Sequence, residues 1–123
     1  MSQAHRLTAI LPCNNLDAGE AFYLRLGFRR RSAQEGYLIL ADGKGAELHL
    51  NSAVKDWMIP GRNPLGVYLY AENVDELAAS LSDILIRKPE AKPWGMYEFA
   101  VSDPDGTLVR VGRPMRLDHV AVS

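Results

Sequence analysis

The sequence predicts an α+β fold made of two βαβββ modules whose mixed sheets curve around a cleft. Three observations predict it. The order strand, helix, strand, strand, strand is legible in the first half of the 123 residues and again in the second. Glycine- or proline-bearing turns punctuate the strand-like runs. A period-two alternation in those runs gives each sheet one face to bury beneath its helix and one to leave open. The expected organisation is one domain with a first module over 1–53, a connector over 54–64, and a second module with a C-terminal tail over 65–123.

The elements follow in order. "LTAILP" (7–12) is a short apolar run suited to a buried strand. Asn15 is placed to cap a helix, its side-chain oxygen accepting from a free backbone N–H. Leu16, Phe22, Tyr23 and Leu26 recur at helical spacing, and Gly27 stands where a helix stops. "FRRRSA" and "YLILAD" read as strands about the "QEG" loop, with Arg29–Arg31 as a solvated strand end. After the "DGKG" turn, "AELHLNS" sets Glu47, His49 and Asn51 on one face and Leu48 and Leu50 on the other.

Beyond the connector "WMIPGRNP", "LGVYLYA" (65–71) reads as a strand. Asn73 and Glu76 form a capping-box-like start for a helix with an apolar stripe of Val74, Leu77, Leu81 and Ile84 or Leu85. A weak strand at 86–90 suits an edge because it contains Pro89. "MYEFAVS" and "TLVRVGR" are two strands joined by Asp103-Pro104-Asp105-Gly106, whose proline and glycine set the turn's backbone angles.

Bulk properties exclude several function classes. A net charge of −1 gives no electrostatic case for nucleic acid or a membrane surface. No apolar run approaches the roughly 20 residues of a bilayer span. The N-terminal stretch does not read as a secretory signal, and a single cysteine, Cys13, suits a reducing compartment, so a cytoplasmic location is expected. Cys13 reads as a small buried hydrophobe. There is no Ser/His/Asp or Cys/His nucleophilic set. "DGKG" lacks the helix and hydroxyl residue of a phosphate cradle.

The doubled element order, "NNLDAGEAFYLRLGF", and above all "PWGMYEFAVSDPDGTLVRV" resemble the glyoxalase/bleomycin-resistance/dioxygenase (vicinal oxygen chelate) superfamily. "VKDWMIP" and "VYLYAENVDELAASL" add weaker similarity, so the resemblance covers nearly the whole chain. Pro93-Trp94-Gly95 points to the bleomycin-resistance branch. That resemblance implies a homodimer with an N-terminal strand exchanged between protomers, although Ala9 stands where that branch has a hinge proline.

Matched to the superfamily's metal enzymes, the four ligand positions fall on Thr8, Glu47, Gly66 and Arg110. Only Glu47 is a ligand type; Arg110 is a permanent cation that donates and cannot coordinate. The expectation is therefore a non-enzyme with no metal and no cofactor, in which Glu47 and Arg110 form a charge-assisted pair. The expected function is sequestration of a small aromatic or amphipathic molecule, with no nucleic-acid or membrane partner. Trp57, Trp94, Tyr37, Tyr68 and Tyr70 would supply stacking, and Glu47, His49 and Arg110 would fix orientation. The alternative is a metal-dependent lyase or dioxygenase using Glu47, His49 and His119.

Overall fold

A computed structural model describes residues 4–115. The chain divides between Met58 and Ile59 into two compact units. Each contains one helix and one four-stranded mixed sheet, so the fold is α+β as the sequence predicts.

The first unit runs β1 (Ala9–Cys13), α1 (Leu16–Arg25), β2 (Arg29–Gln34), β3 (Tyr37–Ala41) and β4 (Glu47–Ser52). Its sheet order is β1-β4-β3-β2, with β1 parallel to β4 and the other pairs antiparallel. Asn15 caps α1 as expected, its Oδ1 accepting from the Ala18 amide at 3.0 Å. Leu11, Cys13, Leu38, Leu40, Leu48 and Leu50 are buried, as are Phe22, Tyr23, Leu26 and Phe28 from α1 and its exit. The opposite parity puts Ile10, Tyr37, Ile39, Glu47, His49 and Asn51 on the open face.

The second unit runs β5 (Gly66–Tyr70), α2 (Val74–Ser80), β6 (Leu85–Ala91), β7 (Met96–Ser102) and β8 (Leu108–Pro114). Its order, β5-β8-β7-β6, repeats the first sheet, including the parallel outer pair. Pro89 lies on the edge strand β6, which has no amide-donor row to complete on its outer side. Val74, Ala78 and Leu81 are buried, as are Phe99, Val101, Val109 and Val111.

Two helix details differ from expectation. The second helix ends at Ser80, so Leu81 is its C-cap and Leu85 belongs to β6 instead of extending the apolar stripe. Asn73 is the N-cap but its side chain accepts from no backbone amide; its Nδ2 donates to Glu76 Oε1 at 3.1 Å. With only two turns to close, a side-chain pair stands in for the reciprocal capping bonds.

The β7–β8 turn is held from within and beneath. Asp103 Oδ1 accepts from the amides of Asp105 (2.9 Å) and Thr107 (3.0 Å). Asn63 Nδ2 donates to the Asp105 carbonyl and to Thr107 Oγ1, both at 2.9 Å. Gly106 has a φ of +84°, and a Cβ there would run into the Pro60 backbone, so both conformation and space require glycine.

Candidate functional site

Apart from Trp57 and Trp94, which lie between strands, the expected site residues fall into two sets, one on the open face of each sheet. In the first unit, Tyr37 opens β3 while Glu47 and His49 stand two apart on β4. The Tyr37 hydroxyl and His49 Nδ1 share a hydrogen bond of 2.5 Å, and their rings meet edge-on at 5.3 Å. His49 Nε2 is buried and lies 3.5 Å from Glu47 Oε2. The guanidinium that meets Glu47 is Arg31, bonded to its Oε1.

Arg29–Arg31 is therefore more than a solvated strand end. Arg31 takes Glu47, Arg30 makes a two-point bond to Glu20 (2.9 and 2.6 Å), and Arg29 donates to the carbonyls of Leu24 and Phe28. Arg30 beside Glu20 holds that carboxyl below the usual carboxylate range. Trp57 stands apart in the turn after β4, 77% exposed. No ring contact or side-chain hydrogen bond among the described residues joins it to the Tyr37–His49–Glu47 set.

In the second unit, alternation along β5 brings Tyr68 and Tyr70 to one face with ring centroids 4.7 Å apart. Register pairs Tyr68 with Arg110 and Tyr70 with Gly112 on β8, and Gly112 in turn with Glu98 on β7. Across the missing side chain of Gly112, the Tyr68 hydroxyl donates to Glu98 Oε1 at 2.9 Å. A Cβ on Gly112 would meet Tyr68 Oη and come within 2.6 Å of Glu98 Cβ. Trp94, in the β6–β7 loop, donates its Nε1–H to the same Glu98 oxygen at 3.0 Å.

Glu98 is 3% exposed, whereas Trp94 and Tyr70 are 58% and 69% exposed. A buried carboxylate therefore underlies a set of accessible rings. Burial, and then the bond to Glu98, push the Tyr68 phenol above the usual tyrosine range, with Arg110 pulling the other way. Arg110 itself is exposed. Lys92 lies 5.9 Å from the Trp94 ring centre and pairs with Glu90 at 2.5 Å.

Glu98 is the residue that the sequence reading missed. Its signal was a lone charge inside the strand "MYEFAV", at the parity of Met96 and Ala100 on the open face. For a metal, Glu47 and His49 are two candidate ligands on one strand, and no group of three or more His, Cys, Asp or Glu is positioned to hold an ion among the described residues. His119, the third residue of the alternative set, lies outside the described residues.

A profile of the Glyoxalase/Bleomycin resistance protein/Dioxygenase superfamily matches residues 4–111. A Klebsiella pneumoniae bleomycin resistance protein is 30% identical, with 85% of this chain and 88% of that protein covered. The crystal structure of a bleomycin-binding protein complexed with bleomycin superposes with a TM-score of 0.76 at 26% identity, covering 91% of this chain and 100% of that one. An antibiotic binding protein from a Streptomyces species gives a TM-score of 0.70 at 28% identity, over 94% and 99%.

Proposed function

The chain belongs to the glyoxalase/bleomycin resistance protein/dioxygenase superfamily, and from that premise we propose that it binds and sequesters a small aromatic or amphipathic molecule, without a metal and without turning it over. Bleomycin and related antibiotics are the first guests to consider, because the similar proteins include a bleomycin resistance protein, a bleomycin-binding protein and an antibiotic binding protein. The observation that carries the reading is the Trp94–Glu98–Tyr68 array. The exposed Trp94 ring and the half-buried Tyr68 ring are held at fixed edges by one carboxylate, so stacking a planar guest costs little side-chain ordering.

On the same reading, Arg110 beside Tyr68 orients the guest on the second unit, and Tyr37, Glu47 and His49 form a separate hydrogen-bonding set on the open face of the first. Trp57 adds an exposed ring in the turn after β4. The proposed setting is a cytoplasmic homodimer. A single cysteine suits a reducing compartment, and exposed Leu7 and Ile10 leave apolar surface at and just before the outer strand β1. Sedimentation at several concentrations tests the assembly.

Calorimetric titration with bleomycin, with and without prior treatment by a chelator, tests the function. The expected result is saturable binding that survives chelation, and recovery of the drug chemically unchanged. Binding or conversion that requires a restored divalent ion would replace this reading with the metal-dependent one. Absence of binding to bleomycin and to a panel of planar antibiotics would remove it.

A further inference from the structure

A buried carboxylate is expensive unless something compensates its charge. Glu98 is 3% exposed, yet the partners of its Oε1 are two neutral donors, the Tyr68 hydroxyl and the Trp94 indole N–H. No guanidinium or ammonium lies within salt-bridge distance of it among the described residues. Donating to an anion also polarises each ring, drawing electron density toward the ring face and strengthening its attraction for a cation.

The chain already places a cation there. The Lys92 ammonium sits over the Trp94 ring at 5.9 Å while Glu90, at 2.5 Å, neutralises it. Tyr70 extends the aromatic surface, its ring tilted 43° to that of Tyr68. Arg110, opposite Tyr68 in register, opposes a second positive charge on this face. It is exposed to solvent and therefore screened, whereas Glu98 acts from beneath the rings where screening is weakest.

We propose that Tyr68, Tyr70, Trp94 and Glu98 form a subsite for a planar organic cation, with Glu98 both fixing the ring edges and supplying the countercharge. This deepens the binding function proposed above and rests on this face being a binding surface, but it does not depend on bleomycin being the guest.

The test compares N-methylacridinium with acridine, two planar probes of nearly the same shape, at a mildly alkaline pH where acridine is neutral. The full-length protein should bind the cation about 10-fold more tightly, within the range of a cation–π contact reinforced by a nearby charge. Glu98→Gln retains one oxygen able to accept both ring hydrogen bonds, replaces the other with an amide nitrogen, and removes the charge. The preference, taken as the ratio of the two affinities, should fall to about 2-fold or less, the remainder being the methyl group's own apolar contribution.

Equal affinity for the two probes in the wild-type protein, or an undiminished preference in Glu98→Gln, would overturn the proposal. If Glu98→Gln melts too low to assay, Lys92→Gln replaces it. A tightening confined to the cation then supports the subsite, and an equal change for both probes, or none, counts against it. Bleomycin binding without a cation preference would sink this inference alone. A cation preference without bleomycin binding would sink only that choice of guest.

Discussion

The two units share element order and sheet order, and each carries a carboxylate on its open face, yet the two carboxylates have opposite surroundings. Glu47, on β4, is partly accessible and is neutralised from within its unit by Arg31, with His49 alongside. Glu98, on β7, is more deeply buried and is met by a phenol and an indole. The accessible charge has a cation; among the described residues, the buried one has only neutral donors. Neutral hydrogen bonds satisfy the buried oxygen but leave its charge uncompensated. The first unit has thus settled its electrostatics internally, whereas the second retains negative charge beneath exposed rings. A repeated topology fixes where the open face lies and leaves the chemistry on that face to a few residues.

The largest test of this contrast is at paired sheet positions. Gly112 lies opposite Glu98 on β7 and Tyr70 on β5, and Asn51 lies opposite Tyr37 on β3 and Pro12 on β1, each on the open face of its sheet. A Cβ at Gly112 would collide with Tyr68 Oη and stand 2.9 Å from the Tyr97 carbonyl, forcing apart the Tyr68–Glu98 bond. Gly112→Ala should cost about 1–3 kcal/mol by overpacking. Asn51 is exposed, so Asn51→Ala should stay within about 0.5 kcal/mol of wild type. Urea unfolding followed by circular dichroism measures both. Similar losses at the two positions would mean that the open faces are not built differently.

Removing one partner from the contact of each carboxylate comes next. Glu98→Ala leaves the Tyr68 hydroxyl and the Trp94 N–H without their acceptor, at a cost of about 1–3 kcal/mol, and it frees the Trp94 ring to move. Trp57 is the second tryptophan of the chain, so Trp57→Phe isolates the Trp94 emission for reading that movement. Arg31 is a 64%-exposed partner, and Arg31→Ala should cost about 0–1 kcal/mol in the first unit. A larger loss at Arg31 than at Glu98 would reverse the comparison.

Much of the architecture was legible because it follows from period and punctuation. The alternation in "ELHLNS" assigns Leu48 and Leu50 to the core and Glu47 and His49 to the open face, where they lie. Pro89 marked the edge strand, and Asp103-Pro104-Asp105-Gly106 marked the hairpin. Parity, however, gives the face and not the partner. Glu98 becomes a hub because Gly112 removes a side chain between it and Tyr68, a vacancy visible only once register sets β5, β8 and β7 side by side. Arg31 was unreadable for a related reason. β2 carries a register shift between Arg30 and Ser32, and simple alternation does not tell which side chain then reaches Glu47 on β4. The length of α2 escaped because Leu81 is apolar and fully buried at the C-cap, which continues the stripe by one residue without continuing the helix.

The smallest effects are in pH dependence, and they also separate the units. In the first, Arg30 depresses the Glu20 carboxyl, so the folded-state value lies below the unfolded one. The pair's contribution is then present above the ordinary carboxylate range and is lost as pH falls through the depressed value. Glu90, held down by Lys92, gives the second unit an acid limb of the same sign, so acid titration alone does not tell the units apart. The alkaline limb does. Tyr97 donates to Asp75 at 2.6 Å and Tyr68 to Glu98 at 2.9 Å, and both phenols are raised above the ordinary value of 10.0. Their contribution is complete below that value and is lost as pH rises through the raised ones. Melting temperature should therefore fall above the ordinary tyrosine range, and Tyr97→Phe should flatten part of that fall while leaving the acid limb intact. Glu20→Gln should flatten only the acid side. Tyrosinate absorbance gives a parallel reading, with Tyr68 and Tyr97 ionising above the ordinary tyrosine range. An alkaline limb unaffected by Tyr97→Phe would detach this pH dependence from the carboxylate-bound phenols of the second unit.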